Sequence, residues 1–164
     1  MNTSAPYSPV LVGTKREELD AILKRYPTKM AALLPALWMI QDKHGWVPED
    51  GINEVAQALD LTPAYVKGVI SFYTMYHLHP VGKHFVQICT TSPCNCCGAD
   101  DVVKAFLEHT GCKELGLTSP DGRYTVIEVE CLGACGFPTP VMINAEFLES
   151  VTPERVPSIL GQLK

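Results

Sequence analysis

Apolar residues recur at three- and four-residue intervals through the first half of the chain, and in short or alternating runs through the second. The first pattern predicts helices and the second predicts strands. Thr14 to Glu17 reads as a capping box, in which the Thr hydroxyl accepts from the backbone and the Glu reaches back. Behind it Leu19, Ile22, Leu23 and Tyr26 form one apolar face. A second helix is predicted from Pro27 to Lys43, apolar on most sides through Met30, Leu33, Leu34, Leu37, Trp38 and Ile40, so it belongs at the centre of a bundle. Pro35 must bend or shorten it. A third helix opens with Pro48 at its first position, followed by Glu49 and Asp50, and presents Ile52, Val55, Ala56 and Leu59. A fourth opens at Thr62-Pro63 with Val66, Val69, Ile70 and Tyr73. Trp38 and Tyr73 read as core. Phe72, Tyr73 and Tyr76 cannot all face one way, so at least one is left for a partner surface.

After the turn Pro80-Val-Gly82 the pattern changes. His84 to Cys89 reads as a strand, and a Cys-rich loop follows it. Asp100 to His109 reads as a helix closed by Gly111. Tyr124 to Glu130 alternates as a strand, Val141 to Ile143 is another, and Ala145 to Ser150 returns as its hairpin partner. The last helix has Thr152 as cap, Pro153 first, and Val156, Ile159, Leu160 and Leu163 as its face. The order β-α-β-β-β-α predicts a small mixed sheet flanked by helices. The fold class is therefore α+β, with a helical bundle over residues 1–80 and an α/β domain over residues 81–164.

Composition narrows the function classes. The 164 residues are 46% hydrophobic and 19% charged, enough to bury a core. A net charge of −5 argues against nucleic acid as a partner. The longest apolar run, Met30 to Ile40, is broken by Pro35 and falls short of the ~20 residues needed to span a bilayer. Met1 to Val10 carries neither a secretory nor a transit pattern, so the chain is expected to remain in a reducing compartment, with its thiols free for metal or redox work. It contains no Gly-x-Gly-x-x-Gly and no phosphate-binding loop motif. No general base stands beside a nucleophile.

The unusual count is seven cysteines, an odd number that cannot be fully paired within one chain. Cys89 and Cys94 form one pair and Cys131 and Cys135 another, each on a loop that follows a predicted strand. The second loop, Cys131-Leu-Gly-Ala-Cys-Gly136, has glycines that can turn N–H groups toward a negative centre, and the small polar Thr90, Thr91 and Ser92 suit the same task. Three chemistries compete on spacing alone. Four thiolates can hold a 2Fe–2S cluster, and the x4 interval is that of one ferredoxin class. Four thiolates can equally hold structural zinc. Cys94-Asn-Cys-Cys97 also contains the Cys-x-x-Cys of a thiol–disulfide exchanger, which would leave Cys131 and Cys135 unused. Cys96 and Cys97 are adjacent, so at most one can face such a centre, and Cys112 reads as a small buried apolar residue. His77-x-His79 has no further ligand nearby and reads as linker. With no His between the cysteine pairs, a Rieske centre is excluded.

Several segments together carry a resemblance: Phe72-Tyr-Thr-Met-Tyr76, Pro80-Val-Gly-Lys83, Val86-Gln-Ile-Cys-Thr-Thr-Ser-Pro-Cys94, Thr118-Ser-Pro-Asp-Gly122 and Val129-Glu-Cys-Leu-Gly-Ala-Cys135. They resemble the thioredoxin-like 2Fe–2S subunit of respiratory complex I (NADH–quinone oxidoreductase), over nearly the whole chain. The same subunit type occurs in NAD-linked hydrogenases and formate dehydrogenases. The resemblance implies a thioredoxin-like second domain and one 2Fe–2S cluster on Cys89, Cys94, Cys131 and Cys135. It implies a partner subunit that binds FMN and NADH, onto which the helical domain packs, and further iron–sulfur subunits leading to quinone. It places the chain in the peripheral arm of a membrane-associated complex, on the cytoplasmic side and without membrane insertion. The cluster would lie on the far side of the flavin from the main electron chain and store electrons or tune the flavin. The alternative outside an assembly is a free-standing ferredoxin. Cys96 and Cys97 depart from the family pattern, and Pro140 falls one residue later than the pattern has it.

Overall fold

The computed structural model describes residues 7–163. Most of the segment read for a leader pattern, residues 1–6, lies outside the described residues. The chain divides into two compact units, Met1–Pro80 and Val81–Lys164. Among the described residues no helix is long and apolar enough to cross a membrane.

The first unit is helical. Helix α1 spans Thr14–Leu23, and its start corrects the predicted capping box. Gly13 occupies the cap with φ 55°, and its carbonyl accepts from both Arg16 and Glu17, so Thr14 already lies inside the helix. Leu19 is the residue of α1 that enters the core, while Tyr26 stands beyond the helix end and is exposed. The single helix expected over Pro27–Lys43 is instead a 3₁₀ turn, Lys29–Ala32, followed by α2, Leu33–His44. Pro35 explains the break. Its ring excludes a helical carbonyl four residues earlier, whereas in a first turn its missing N–H costs no bond.

Leu33, Ala36, Leu37, Met39 and Ile40 are buried on α2, but Trp38 turns aside and stays 41% exposed, against its reading as core. Helix α3, Glu49–Leu59, buries Ile52, Val55, Ala56 and Leu59 as expected, with Pro48 as the cap rather than the first helical residue. Gly51 is also buried there. A Cβ on it would lie 2.7 Å from the Ile40 side chain, so the close approach of α2 and α3 requires glycine. Helix α4, Pro63–Phe72, starts as predicted, with the Thr62 hydroxyl accepting from the Tyr65 N–H at 3.2 Å. Of the aromatics Phe72, Tyr73 and Tyr76 at and beyond its end only Tyr76 is core, its hydroxyl donating to the Leu34 carbonyl at 2.9 Å. Phe72 is exposed and Tyr73 sits at the rim, past the helix, which corrects its reading as core. The buried Gln41 amide donates to the Met75 carbonyl and accepts from the His77 N–H, each at 2.8 Å. These bonds make the His77 segment a structural connection.

The second unit is built on a four-stranded mixed sheet in the order β2–β1–β3–β4. Its strands are β1 (His84–Cys89), β2 (Tyr124–Val129), β3 (Val141–Ile143) and β4 (Glu146–Leu148). β1 pairs with β2 in parallel and with β3 antiparallel, and β3 and β4 form the expected hairpin. The Cys-rich loop holds a short helix that the apolar pattern does not announce, α5 (Ser92–Cys96), before α6 (Ala99–Thr110). The last helix opens as a 3₁₀ turn, Pro153–Arg155, and continues as α7, Val156–Gln162; Thr152 makes no side-chain cap. Val86, Ile88, Val102, Phe106, Val126, Val141 and Val156 share one core between sheet and helices.

β2 does not alternate as predicted: Thr125 is buried between Tyr124 and Val126. Its hydroxyl is satisfied by the Gly82 N–H at 2.7 Å and by Thr118 at 2.8 Å. Gly82 makes that approach because a Cβ would come within 2.5 Å of the Tyr124 backbone.

Candidate metal centre

The parallel pair β1 and β2 is in register, with Cys89 opposite Val129, so the chain leaves both strands at the same end. Cys89 is the last residue of β1, and Cys131 follows β2 by two positions. Backbone bonds extend the order past the strands. Thr90 N–H donates to the Val129 carbonyl and Cys89 N–H to the Pro140 carbonyl, both at 3.2 Å. The Cys89 thiol lies 3.8 Å from the Glu130 carbonyl, to which it donates. Cys94 is on α5. With Cys89, Ala99 and the half-buried Leu132 it forms a small apolar cluster apart from the main core. Leu132 belongs to the second cysteine loop, so the two loops meet here.

The two cysteine pairs differ in access. Cys89 and Cys94 are buried, while Cys131 and Cys135 are exposed. Burial works to raise the Cys89 thiol, but the backbone N–H groups of Thr91 and Leu132, the Cys94 thiol and the Thr91 side chain outweigh it and hold Cys89 below its ordinary value. Cys94 is pushed up to about 11, by burial first, then by donating to Cys89 and by the negative charge of Cys89, Cys135 and Cys131. Cys94 therefore feels the charge of the other three thiols. On the exposed loop, Gly133 adopts φ 78° and its N–H donates to the Cys131 sulfur at 3.3 Å, in line with the glycine pattern.

Four thiols backed by N–H donors are suitable chemistry for a dinuclear iron core, whose two irons each take one pair of ligands. Among the described residues no group of three or more His, Cys, Asp or Glu side chains is gathered so as to hold a metal ion. Two hydroxyls, Thr91 Oγ1 and Thr139 Oγ1, are sealed from solvent and make no well-formed hydrogen bond. Thr91 sits between Cys89 and Cys94, and Thr139 precedes the Pro140 whose carbonyl takes the Cys89 N–H. The unsatisfied Thr91 hydroxyl, on the loop between two of the cysteines, fits a site completed by a further group.

The remaining cysteines separate cleanly. Cys96 and Cys97 lie exposed at the end of α5. Cys112 is buried, its thiol donating to the Tyr124 carbonyl at 3.5 Å, at the opposite end of β2 from Cys131. The apolar pattern misses α5, the Leu132 N–H and the two buried hydroxyls. The Ser92-Pro93 step is the available signal for α5, since proline is favoured in a helix's first turn.

The sequence profile of the thioredoxin-like 2Fe–2S ferredoxins matches residues 19–164. The chain is 40% identical over 148 residues to a subunit of the NADH-quinone oxidoreductase of Rickettsia bellii, covering 88% of each chain. It is 35% identical over 151 residues to a subunit of the NADH-quinone oxidoreductase of Rhizobium meliloti, covering 92% of this chain and 89% of that one. In three dimensions it is similar to part of an NAD+-reducing NiFe hydrogenase in its H2-reduced state, with a TM-score of 0.69 at 17% identity. That match spans 81% of this chain and 23% of the hydrogenase chain, and shows the fold alone. With most of its length matched by the profile and by relatives of its own size, the chain belongs to the thioredoxin-like 2Fe–2S ferredoxin family.

Proposed function

We propose that Cys89, Cys94, Cys131 and Cys135 hold one 2Fe–2S cluster, in a thioredoxin-like domain over residues 81–164 that follows a helical domain over residues 1–80. The observation that carries the assignment is the in-register parallel pairing of β1 and β2, which delivers both cysteine pairs to one end of the sheet. The cluster would supply one-electron redox chemistry. The chain's own residues do the rest. Cys89 is anchored by the strand and Cys94 by α5. The N–H groups of Thr91, Leu132 and Gly133 offset negative charge on the sulfurs, and the exposed Cys131 and Cys135 leave one side open.

The chain acts as an electron-transfer subunit of an NADH–quinone oxidoreductase, the assembly for which its relatives are named. A hydride carries two electrons, so a flavin must stand between NADH and a one-electron centre. The chain lacks a dinucleotide motif, which assigns FMN and NADH to the partner subunit. The subunit sits in the peripheral arm on the cytoplasmic side, and its cluster stores electrons or tunes the flavin. Flavin reoxidation that keeps its rate after the cluster is removed, with the subunit still in place, would contradict the storage role. The sequence resemblance leaves a second reading, the corresponding subunit of an NAD-linked hydrogenase, with formate dehydrogenase as a related assembly.

Anaerobic purification of the full chain tests the core assignment. Iron and sulfide at two each per chain with visible absorption is the expected result, and zinc without visible absorption overturns it. Purification with native partners then separates the parents: a flavoprotein with quinone-linked subunits is expected, a NiFe subunit marks the second reading, and no partner marks a free ferredoxin.

A further inference from the structure

Thr91 occupies the N-cap of α5, a position where a threonine hydroxyl ordinarily accepts from the first backbone N–H groups of the helix. Here it makes no such bond. Its Oγ1 is nevertheless buried, with no well-formed hydrogen bond to any protein group. A buried hydroxyl without a partner costs roughly 1–3 kcal/mol, so its retention in that orientation calls for an acceptor. The neighbouring small polar residues do not share this feature. Ser92 is exposed, and Thr90 has no orphaned buried hydroxyl. Thr91 lies on the loop between the two buried cysteines, two residues after Cys89 and three before Cys94. The Thr91 side chain helps hold the Cys89 thiol below its ordinary value, although no well-formed hydrogen bond joins the two.

We propose that the Thr91 hydroxyl donates a hydrogen bond to the Cys89 sulfur in the loaded chain and so sets the reduction potential of the centre. The inference rests on the ligand assignment above. A thiolate on iron is a stronger acceptor than a thiol, so ligation supplies the partner that the hydroxyl lacks. Reduction adds negative charge, part of which falls on the sulfurs. A donor to sulfur therefore stabilises the reduced form more than the oxidised one. Thr91 is a tuning residue, and its loss makes the centre harder to reduce.

The test uses the full chain with its cluster, read by redox titration of the visible spectrum beside thermal unfolding. Thr91→Val keeps the shape and removes the donor. It is expected to lower the one-electron equilibrium constant three- to tenfold, tenfold being about 59 mV. Thr91→Ser keeps the donor and is expected to stay near wild type, as is the neighbouring Thr90→Val. An unchanged potential in Thr91→Val, an equal shift in Thr91→Ser, or an equal shift in Thr90→Val overturns the proposal. Thr91→Ala serves if the valine overpacks. Loss of the cluster in both, with Thr91→Ser intact, would make Thr91 a structural residue and also overturn it. A wild-type chain that takes up no iron and sulfide refutes the ligand assignment instead, so the two failures are distinguishable.

Discussion

The loop after β1 hides its cysteines and the loop after β2 exposes them, although both leave neighbouring strands at the same end. The contrast comes from what surrounds each strand. β1 lies between β2 and β3 and is buried along its whole length, so Cys89 inherits that burial, and α5 packs Cys94 against Ala99. β2 is an edge strand whose exposure grows toward its end, and Cys131 and Cys135 continue into solvent. The first loop is thus held mainly by packing, while the second touches that packing through Leu132 and turns at Gly133, whose N–H donates to Cys131. A cluster held by both loops, as proposed, would have a fixed side and an accessible side.

The strongest way to break this comparison is to remove one thiol from each loop. Cys94→Ser and Cys131→Ser should both abolish the visible spectrum, whereas Cys97→Ser should retain it. Loss in Cys97→Ser with retention in Cys131→Ser would overturn the pairing of loops.

Alkylation of the cluster-free chain sharpens it. Cys96, Cys97, Cys131 and Cys135 are exposed and should react more than roughly tenfold faster than Cys89, Cys94 and Cys112. Loading the cluster should then protect Cys131 and Cys135 while leaving Cys96 and Cys97 reactive. Mass spectrometry of the labelled peptides reads both steps.

Stability separates the loops next. Ala99 is fully buried beside Cys94, so Ala99→Leu overpacks the first loop and should cost about 1–3 kcal/mol. Gly133 has open space around its Cβ position but a left-handed φ, so Gly133→Ala should cost only about 1–2 kcal/mol through the backbone. Denaturant unfolding of the cluster-free variants compares them.

The smallest effect is a pH dependence. In the folded chain Cys94 is raised, by burial first and then by the charge on Cys89. Its contribution is therefore present below the ordinary thiol value of 9.0 and is lost as pH climbs from there through about 11. Cys89 is lowered, its hydrogen bonds outweighing its burial, so its contribution has the opposite sense and fades as pH falls through the lowered value. The melting temperature of the cluster-free wild type should fall between about pH 9 and 11 more steeply than that of Cys94→Ala. Equal slopes would show that Cys94 ionises as freely folded as unfolded.

Legibility in the sequence follows the range of the interaction concerned. The strand His84–Cys89 and the cap at Thr62 can be read from their residues because each depends on its immediate neighbours. A cap at Thr14 fails because Gly13, able to take φ 55°, competes for the same position. A helix over Pro27–Lys43 is too long because periodicity continues through Ala32, while Pro35 fits only a helix's first turn and so the α-helix starts at Leu33. Trp38 and Tyr73 look like core from spacing, yet which of several apolar faces meets a neighbour depends on where the other helices lie.

The cysteine spacings and the glycines that accompany them are determined by the sequence alone, because a thiolate pair and its N–H donors need only a few consecutive residues. The family resemblance travels with those local motifs. The tertiary structure alone decides that β1 runs parallel to β2 in register, that one cysteine pair is buried and the other open, and that the Thr91 hydroxyl forgoes its cap. The first two of these rest on groups far apart in the chain, and burial, unlike spacing, is a property of what folds over a residue rather than of the residue itself.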